Sequence, residues 1–159
     1  MKSLSWARGI ISFIAVFTSL SPYLADWNET HIYNPYWPPH AKFHNAQTMI
    51  FGAMAGLISL WFLWSRQRDR VMALQVGTLF AAFYWVTQSP AIFFPGASFT
   101  DPQFEGLKSL RIGPLTVTQL MLDFVIVGIL FLAYGKERRR LRTASISTAP
   151  VNAIPQGAQ

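Results

Sequence analysis

The sequence predicts an all-α protein, a bundle of four transmembrane helices with both termini in the cytoplasm. Hydrophobic residues make up 52% of the 159 residues and charged residues only 13%, which is too apolar for an ordinary soluble domain. The apolar residues are concentrated in four windows, and most basic residues lie at alternate ends of those windows. Together these observations predict a multi-pass integral membrane protein.

The four windows cover residues 9–24, 47–64, 71–89 and 115–134. Each is close to the ~20 residues that a helix needs to cross the ~30 Å hydrocarbon core, and none contains Lys, Arg or Glu. We therefore expect one membrane domain over residues 1–142, with the lipid bilayer as its first partner. Residues 143–159 are rich in Ser, Thr, Ala and Pro, which predicts a disordered cytoplasmic tail.

The positive-inside rule predicts the orientation. Ten of the 13 Lys and Arg residues lie before the first window, between the second and third, or after the fourth. Only Lys42, Lys108 and Arg111 lie in the other two connectors. Both termini are therefore expected in the cytoplasm, and the connector over residues 26–48 is expected outside. In a bacterial host the membrane would be the plasma (inner) membrane.

The first window also fits a secretory signal peptide, because a basic start and a short apolar run precede Ala25. Tyr23, however, stands where a cleavage site needs a small residue, so we expect the segment to be retained as a helix. Pro38 and Pro39 suit the first turn of the second helix, which is expected to begin near His40. Gly52 and Gly56 form a GxxxG pair, which favours close packing against another helix of the same chain.

Residues 26–48 contain all three histidines of the chain. His40 and His44 are four residues apart, so on a helix they share one face, and Gln47 continues it. Two imidazoles in this arrangement can hold a metal, for which His31, Asp26 or Glu29 could supply a further ligand, although HxxxH alone indicates a metal only weakly. Acid–base or substrate-binding roles are equally open, and so is a purely structural role at the membrane surface.

Asp123 lies inside the fourth window, where a carboxylate is costly unless it faces the bundle interior. Thr116, Gln119 and Asp123 follow helical spacing and predict one polar stripe. Gln47, Tyr84 and Gln88 are expected at a similar depth on the second and third helices. The prediction is one polar pocket that opens outward, with His40, His44 and Asp123 as candidate catalytic residues. The candidate ligand-binding residues are Asp26, His31, Gln47, Gln88 and Gln119.

The string NETHIYNPYWPPHAKFHNAQTM at residues 28–49 resembles the signature of a family of small multi-pass membrane proteins of bacteria and fungi that has no established activity. The four-helix layout resembles DoxX-type membrane proteins. More loosely, it resembles the emopamil-binding sterol isomerases, whose intramembrane acids and histidine move protons on a lipid. The first resemblance implies a family of unknown activity, and the other two imply only an architecture.

The residues support two functions. The first is binding, or isomerisation by proton transfer, of a small lipophilic molecule, for which His and Asp can serve as acid and base. The second is a non-catalytic accessory subunit that uses its GxxxG face to contact a copy of itself or a larger membrane protein. Thiol chemistry is excluded because the chain has no cysteine. A nucleic-acid partner is not expected because the basic residues flank the apolar windows, and no pattern indicates a particular cofactor.

Overall fold

The computed structural model describes residues 5–104 and 110–147. Its helices are α1 (Trp6–Asp26), α2 (Pro39–Trp64), α3 (Arg70–Gln88) and α4 (Gln119–Ser147). Four segments are long and apolar enough to cross a membrane, the third being α3 continued by the 3-10 helix Ser89–Phe93. The predicted all-α class and the four predicted spans are therefore confirmed, and they fit a multi-pass integral membrane protein.

Local sequence signals set most of the helix starts. Pro39 occupies the first turn of α2, as expected from its missing N–H. Asp69 precedes α3, and its carboxylate accepts hydrogen bonds from the backbone N–H groups of Val71 and Met72, both at 2.9 Å. Thr118 precedes α4, and its hydroxyl accepts a bond from the Met121 N–H at 3.3 Å. Such caps satisfy N–H groups that have no partner within the helix.

Successive helices run antiparallel, so the bundle has two ends. The loop end carries the connectors that follow α1 and α3. The basic end carries Arg8, the short connector 65–69 and the basic residues of α4 that begin at Lys136. At the basic end, the buried Glu137 carboxylate accepts two hydrogen bonds from Arg140, at 2.6 and 2.9 Å, and lies 3.8 Å from Arg8 Nε.

Helix α1 packs against the other three helices. Ile11 and Ala15 are fully buried on it. One turn on, the Thr18 hydroxyl donates to the Ala81 carbonyl at 3.2 Å and accepts from Trp85 Nε1 at 2.8 Å. Phe17 stacks on the Trp85 ring with centroids 5.5 Å apart. The first apolar window is therefore a helix that packs within the bundle.

The GxxxG pair of α2 packs against α1 of the same chain. A side chain at Gly52 would meet Pro22 Cγ at 2.8 Å and the Thr18 carbonyl oxygen at 3.0 Å. A side chain at Gly56 would meet the Ala15 carbonyl oxygen and Ser19 even more closely. The prediction of packing within the chain is confirmed, and this face of α2 is covered by α1 instead of being free for a partner.

The predicted start of the fourth span at residue 115 is wrong. Leu115–Val117 forms strand β2, which pairs with β1 (Leu110–Ile112) in an antiparallel hairpin. Gly113 has a φ of 61°, which suits the turn between the strands. The β-branched residues after Pro114 favour an extended backbone. Thr116 is therefore not on α4, and the polar stripe begins at Gln119.

The predicted start of the disordered tail also needs correction. Helix α4 continues through residues 143–147 and ends at Ser147. The helix-forming residues after Lys136 favour this extension, and Leu141 is buried, which holds the last turns against the bundle. The rest of the predicted tail, residues 148–159, lies outside the described residues.

Candidate functional site

A cavity of about 810 Å³ lies at the loop end, where α1 and α3 end, α4 begins and the connector after α3 covers them. Apolar and aromatic residues form most of its wall, and the polar residues occur in small groups. Cavities of this kind bind small organic molecules, because the wall buries the apolar part and the polar groups orient the rest. The lining residues are Phe17, Ser21, Pro22, Leu24, Ala25, Asp26, Thr30, His31, Trp37, Tyr84, Trp85, Gln88, Ala91, Ile92, Ala97, Ser98, Phe99, Thr100, Asp101, Phe104, Gln119 and Leu122.

Four of the site residues predicted from the sequence line this cavity: Asp26, His31, Gln88 and Gln119. Asp26 is the last residue of α1, Gln88 is the last of α3, and Gln119 is the first of α4. His31 lies in the connector after α1. Tyr84, expected at the same depth, lines the cavity one turn before Gln88. Helix ends from three segments thus bring these polar groups together.

Asp26 contacts both α2 and the connector. Asn45 Nδ2 of α2 donates a hydrogen bond to Asp26 Oδ2 at 2.8 Å. The other carboxylate oxygen, Oδ1, lies 3.7 Å from His31 Nε2. Both Asp26 and His31 are partly buried, and the His31 ring packs edge-on against Trp37 with centroids 5.0 Å apart. Asn45 therefore holds one carboxylate oxygen of Asp26, and the other oxygen faces His31.

The hydrogen bonds around Thr30 assign the tautomer of neutral His31. Asn28 Nδ2 donates to the Ala25 carbonyl at 2.6 Å, which leaves Asn28 Oδ1 to accept from the Thr30 hydroxyl, also at 2.6 Å. The Thr30 oxygen then accepts from His31 Nδ1–H at 2.7 Å. Neutral His31 consequently presents the lone pair of Nε2 beside the Asp26 carboxylate. A proton on Nε2, a water molecule or a hydroxyl group of a bound molecule would supply the donor between these two acceptors.

Asp123 is 1% exposed and lies behind the cavity wall. Its Oδ2 accepts a hydrogen bond from the Ser89 hydroxyl at 2.8 Å, and its Oδ1 accepts one from Gln119 Nε2, also at 2.8 Å. The same Gln119 amide donates to Gln88 Oε1 at 3.0 Å. Asp123 thus orients the cavity-lining amide of Gln119 directly, and Gln119 in turn orients the amide of Gln88 at the end of α3. In this geometry it positions Gln119.

His40 and His44 lie on an exposed face of α2, outside the cavity lining. Their Nε2 atoms are 3.1 Å apart, as the helical spacing predicts. His44 Nδ1 lies 3.2 Å from Gln47 Oε1, and Gln47 is also exposed. The expectation that Gln47 joins the pocket with Gln88 is therefore corrected. These three residues form a second, separate polar group at the loop end.

The structure separates the three histidines considered as metal ligands. His31 is engaged with Thr30 and faces Asp26, whereas His40 and His44 pair with each other on α2. Across residues 5–104 and 110–147, no group of three His, Asp or Glu side chains is placed to hold a metal ion. A three-ligand set that includes His31 and the α2 pair is therefore not present in the described part of the chain.

One contact of the site could not be predicted from the sequence. Asp101, in the connector after α3, accepts a hydrogen bond from Trp37 Nε1 at 2.9 Å and lies 3.5 Å from Asn34 Nδ2. Asn34 is fully buried, and its Oδ1 also accepts from the Tyr36 N–H at 2.9 Å. These bonds join the two connectors of the loop end and close the cavity over the helix ends. The only signal was the Asp101-Pro102 pair within a connector of mixed composition.

Comparison with known proteins gives a family but no activity. No curated protein and no solved structure matches the chain. The likeness to DoxX-type proteins and sterol isomerases accordingly stays an expectation that no match supports. One family model covers residues 10–147, from the first turns of α1 to the end of α4. The chain therefore belongs to DUF6640, a family of unknown function.

Proposed function

We propose that this protein binds a small lipophilic molecule with one polar group in the cavity at the loop end. The observation that supports this proposal is the cavity itself, whose volume of about 810 Å³ is within the ~300–1,000 Å³ typical of small-molecule sites. Its wall combines apolar side chains from α1, α3 and α4 with two separate polar groups. A molecule dissolved in the bilayer would exchange lipid contacts for these side chains.

The apolar wall would hold the hydrocarbon part of the ligand. Phe17 and Trp85 provide stacked aromatic surface, and Ile92, Phe104 and Leu122 come from the elements on either side. Because a molecule from the bilayer exchanges lipid contacts for these side chains, its stabilisation would come from packing against the wall and not from removal of apolar surface from water.

Two polar groups would orient the ligand. Gln88 and Gln119 present amides at the inner side of the cavity, and His31 with Asp26 forms the second group where α1 ends. Ser21, another lining residue, has a buried hydroxyl with no hydrogen-bond partner among the described residues.

The pair of His31 and Asp26 also gives the site a proton acceptor and a proton donor. Neutral His31 can take a proton at Nε2, and the carboxylate of Asp26 would stabilise the imidazolium that forms. Isomerisation or hydration of the bound molecule is the reaction class that this pair supports. From the sequence, His44 was a candidate catalytic residue. We assign that role to His31 instead, because His31 lines the cavity.

The binding proposal can be tested by filling the cavity. Ser21→Trp places a large side chain at a lining position, whereas Leu20→Trp places the same side chain at an exposed neighbour on α1. Each purified protein is extracted with organic solvent, and small molecules are quantified by mass spectrometry. We expect an apolar molecule at near-stoichiometric amounts in the wild type and in Leu20→Trp, and strong depletion in Ser21→Trp. Equal recovery from all three proteins would contradict the proposal.

The orientation that places this cavity on the outer side is also part of the proposal. Because the chain has no native cysteine, single cysteines report their position cleanly. Ser98→Cys marks the exposed connector at the loop end, and Thr143→Cys marks the exposed surface of α4 at the basic end. A membrane-impermeant maleimide is expected to label Ser98→Cys in intact cells and Thr143→Cys only after permeabilisation. The reverse labelling pattern would show that the loop end faces the cytoplasm and would contradict the proposed orientation.

A further inference from the structure

A second cavity, of about 120 Å³, lies at the basic end, on the far side of the bundle from the proposed ligand site. It is enclosed by the start of α1, the end of α2, the connector 65–69 and the start of α3. Three arginines line it, Arg8, Arg66 and Arg70, together with Gln67 and Ser65. Arg66 and Arg70 are four residues apart around the connector, and the fold brings Arg8 of α1 beside them.

The carboxylates near this cavity are engaged elsewhere. The lining residues include no Asp or Glu. Asp69, between the two arginines of the connector region, caps the backbone N–H groups of Val71 and Met72. Glu137 lies 3.8 Å from Arg8 Nε, but both of its oxygens accept hydrogen bonds from Arg140. The cavity therefore has excess positive charge.

Arg8 is held in place at the wall of the cavity. Its side chain is only 20% exposed, and its guanidinium lies over the Trp64 ring, 5.6 Å from the ring centroid. Its Nε faces the Glu137 carboxylate, which Arg140 also binds. An oxyanion in the cavity would balance the positive charge that this shared carboxylate leaves.

The cavity also lies at the level where phosphate groups occur in a membrane. Trp61 and Trp64 at the end of α2 are half exposed or more, as in the aromatic belts of membrane interfaces. Trp64 Nε1 donates to the Ser12 hydroxyl at 2.9 Å, which fixes one wall. One water molecule needs only ~10–15 Å³ of cavity volume. This cavity has about 120 Å³, which also leaves room for a tetrahedral phosphate group.

We propose that Arg8, Arg66 and Arg70 form a binding site for a phosphate group at the basic end of the bundle. The phosphate can belong to an anionic lipid headgroup or be a free anion, because guanidinium groups recognise both through the same charge-assisted hydrogen bonds. This site is independent of the ligand cavity at the loop end.

The chain provides a matched control for this proposal. Arg66, Arg68 and Arg70 are alternate residues of one connector region and are all exposed, but Arg68 does not line the cavity. The variants Arg66→Gln, Arg68→Gln and Arg70→Gln each remove one charge from the same surface. The purified proteins are titrated with dioctanoyl phosphatidic acid, dioctanoylglycerol and inorganic phosphate, and binding is followed by the shift in thermal unfolding temperature.

We expect phosphatidic acid to bind saturably and dioctanoylglycerol to have little effect. Arg66→Gln and Arg70→Gln should each weaken binding about tenfold, because each removes a charged hydrogen-bond donor, and Arg68→Gln should weaken it less than about twofold. Binding of inorganic phosphate with the same arginine dependence would identify a free anion as the ligand and support the site. Equal losses in all three variants would show a diffuse basic surface and overturn the proposal. Equal responses to phosphatidic acid and dioctanoylglycerol would overturn it as well.

Discussion

Replacing Gly56 with leucine is expected to prevent α1 from packing against α2. A Cβ atom at this position would already overlap the Ala15 carbonyl oxygen and Ser19, and a leucine adds three further carbons in the same direction. The obstacle is partly backbone, so it cannot be relieved by a change of rotamer. Ser19 Oγ also donates to the Ala53 carbonyl at 3.3 Å, a contact between helices that separation would break. We expect a loss of about 3 kcal/mol in the free energy of unfolding, the upper part of the usual range for overpacking.

Gly128→Leu is the matched control. Gly128 is also a transmembrane glycine, but it lies on the exposed face of α4, and a Cβ built there meets no atom within 4 Å. Its leucine variant should insert and unfold like the wild type, since leucine is favourable in lipid. Thermal unfolding in one detergent compares the three proteins. If Gly56→Leu unfolded at the wild-type temperature, the described packing of α1 on α2 would be wrong.

The glycine pair also shows how far the fold could be predicted from the sequence. Spacing alone indicated a close helix approach at Gly52 and Gly56, and apolar windows of the right length indicated the four spans. The identity of the helix that covers the pair depends on which faces meet in three dimensions, and no local pattern contains that information. The start of α4 was misplaced for a different reason, because hydropathy does not distinguish the apolar strand 115–117 from the helix that follows it.

Among the candidate site residues, the sequence predicted relative positions only within one helix. Helical periodicity placed His40 beside His44 and Gln119 beside Asp123, and both pairs are in contact. Periodicity gives relative position on one helix, but it does not show which face is directed toward the cavity. The loop residues were less predictable still, because the positions of His31 and Asp101 depend on hydrogen bonds between two connectors that are distant in sequence.

Replacing His31 with alanine is expected to release most of the bound molecule, even though the fold persists. His31 lines the cavity, and its Nε2 forms one side of the donor–acceptor pair with Asp26. Loss of this hydrogen bond to the polar group of the ligand should lower affinity about tenfold. The amount of ligand recovered by solvent extraction, per mole of purified protein, measures the effect. Asp26→Asn should act in the same direction, because an amide oxygen still accepts from Asn45 but no longer stabilises a proton on His31.

His44→Ala is the decisive comparison for this prediction. It removes the same side chain from the same end of the bundle, but from the exposed face of α2, where the His44 ring contacts His40, Phe43 and Gln47. If binding depends on the cavity, His44→Ala should retain the wild-type amount of ligand and the wild-type unfolding temperature, whereas His31→Ala should lose the stabilisation that the bound ligand supplies. If His44→Ala lost the ligand and His31→Ala kept it, the functional site would lie on the face of α2, and the cavity assignment would have to be abandoned. The two histidines therefore distinguish a site inside the bundle from one on its surface.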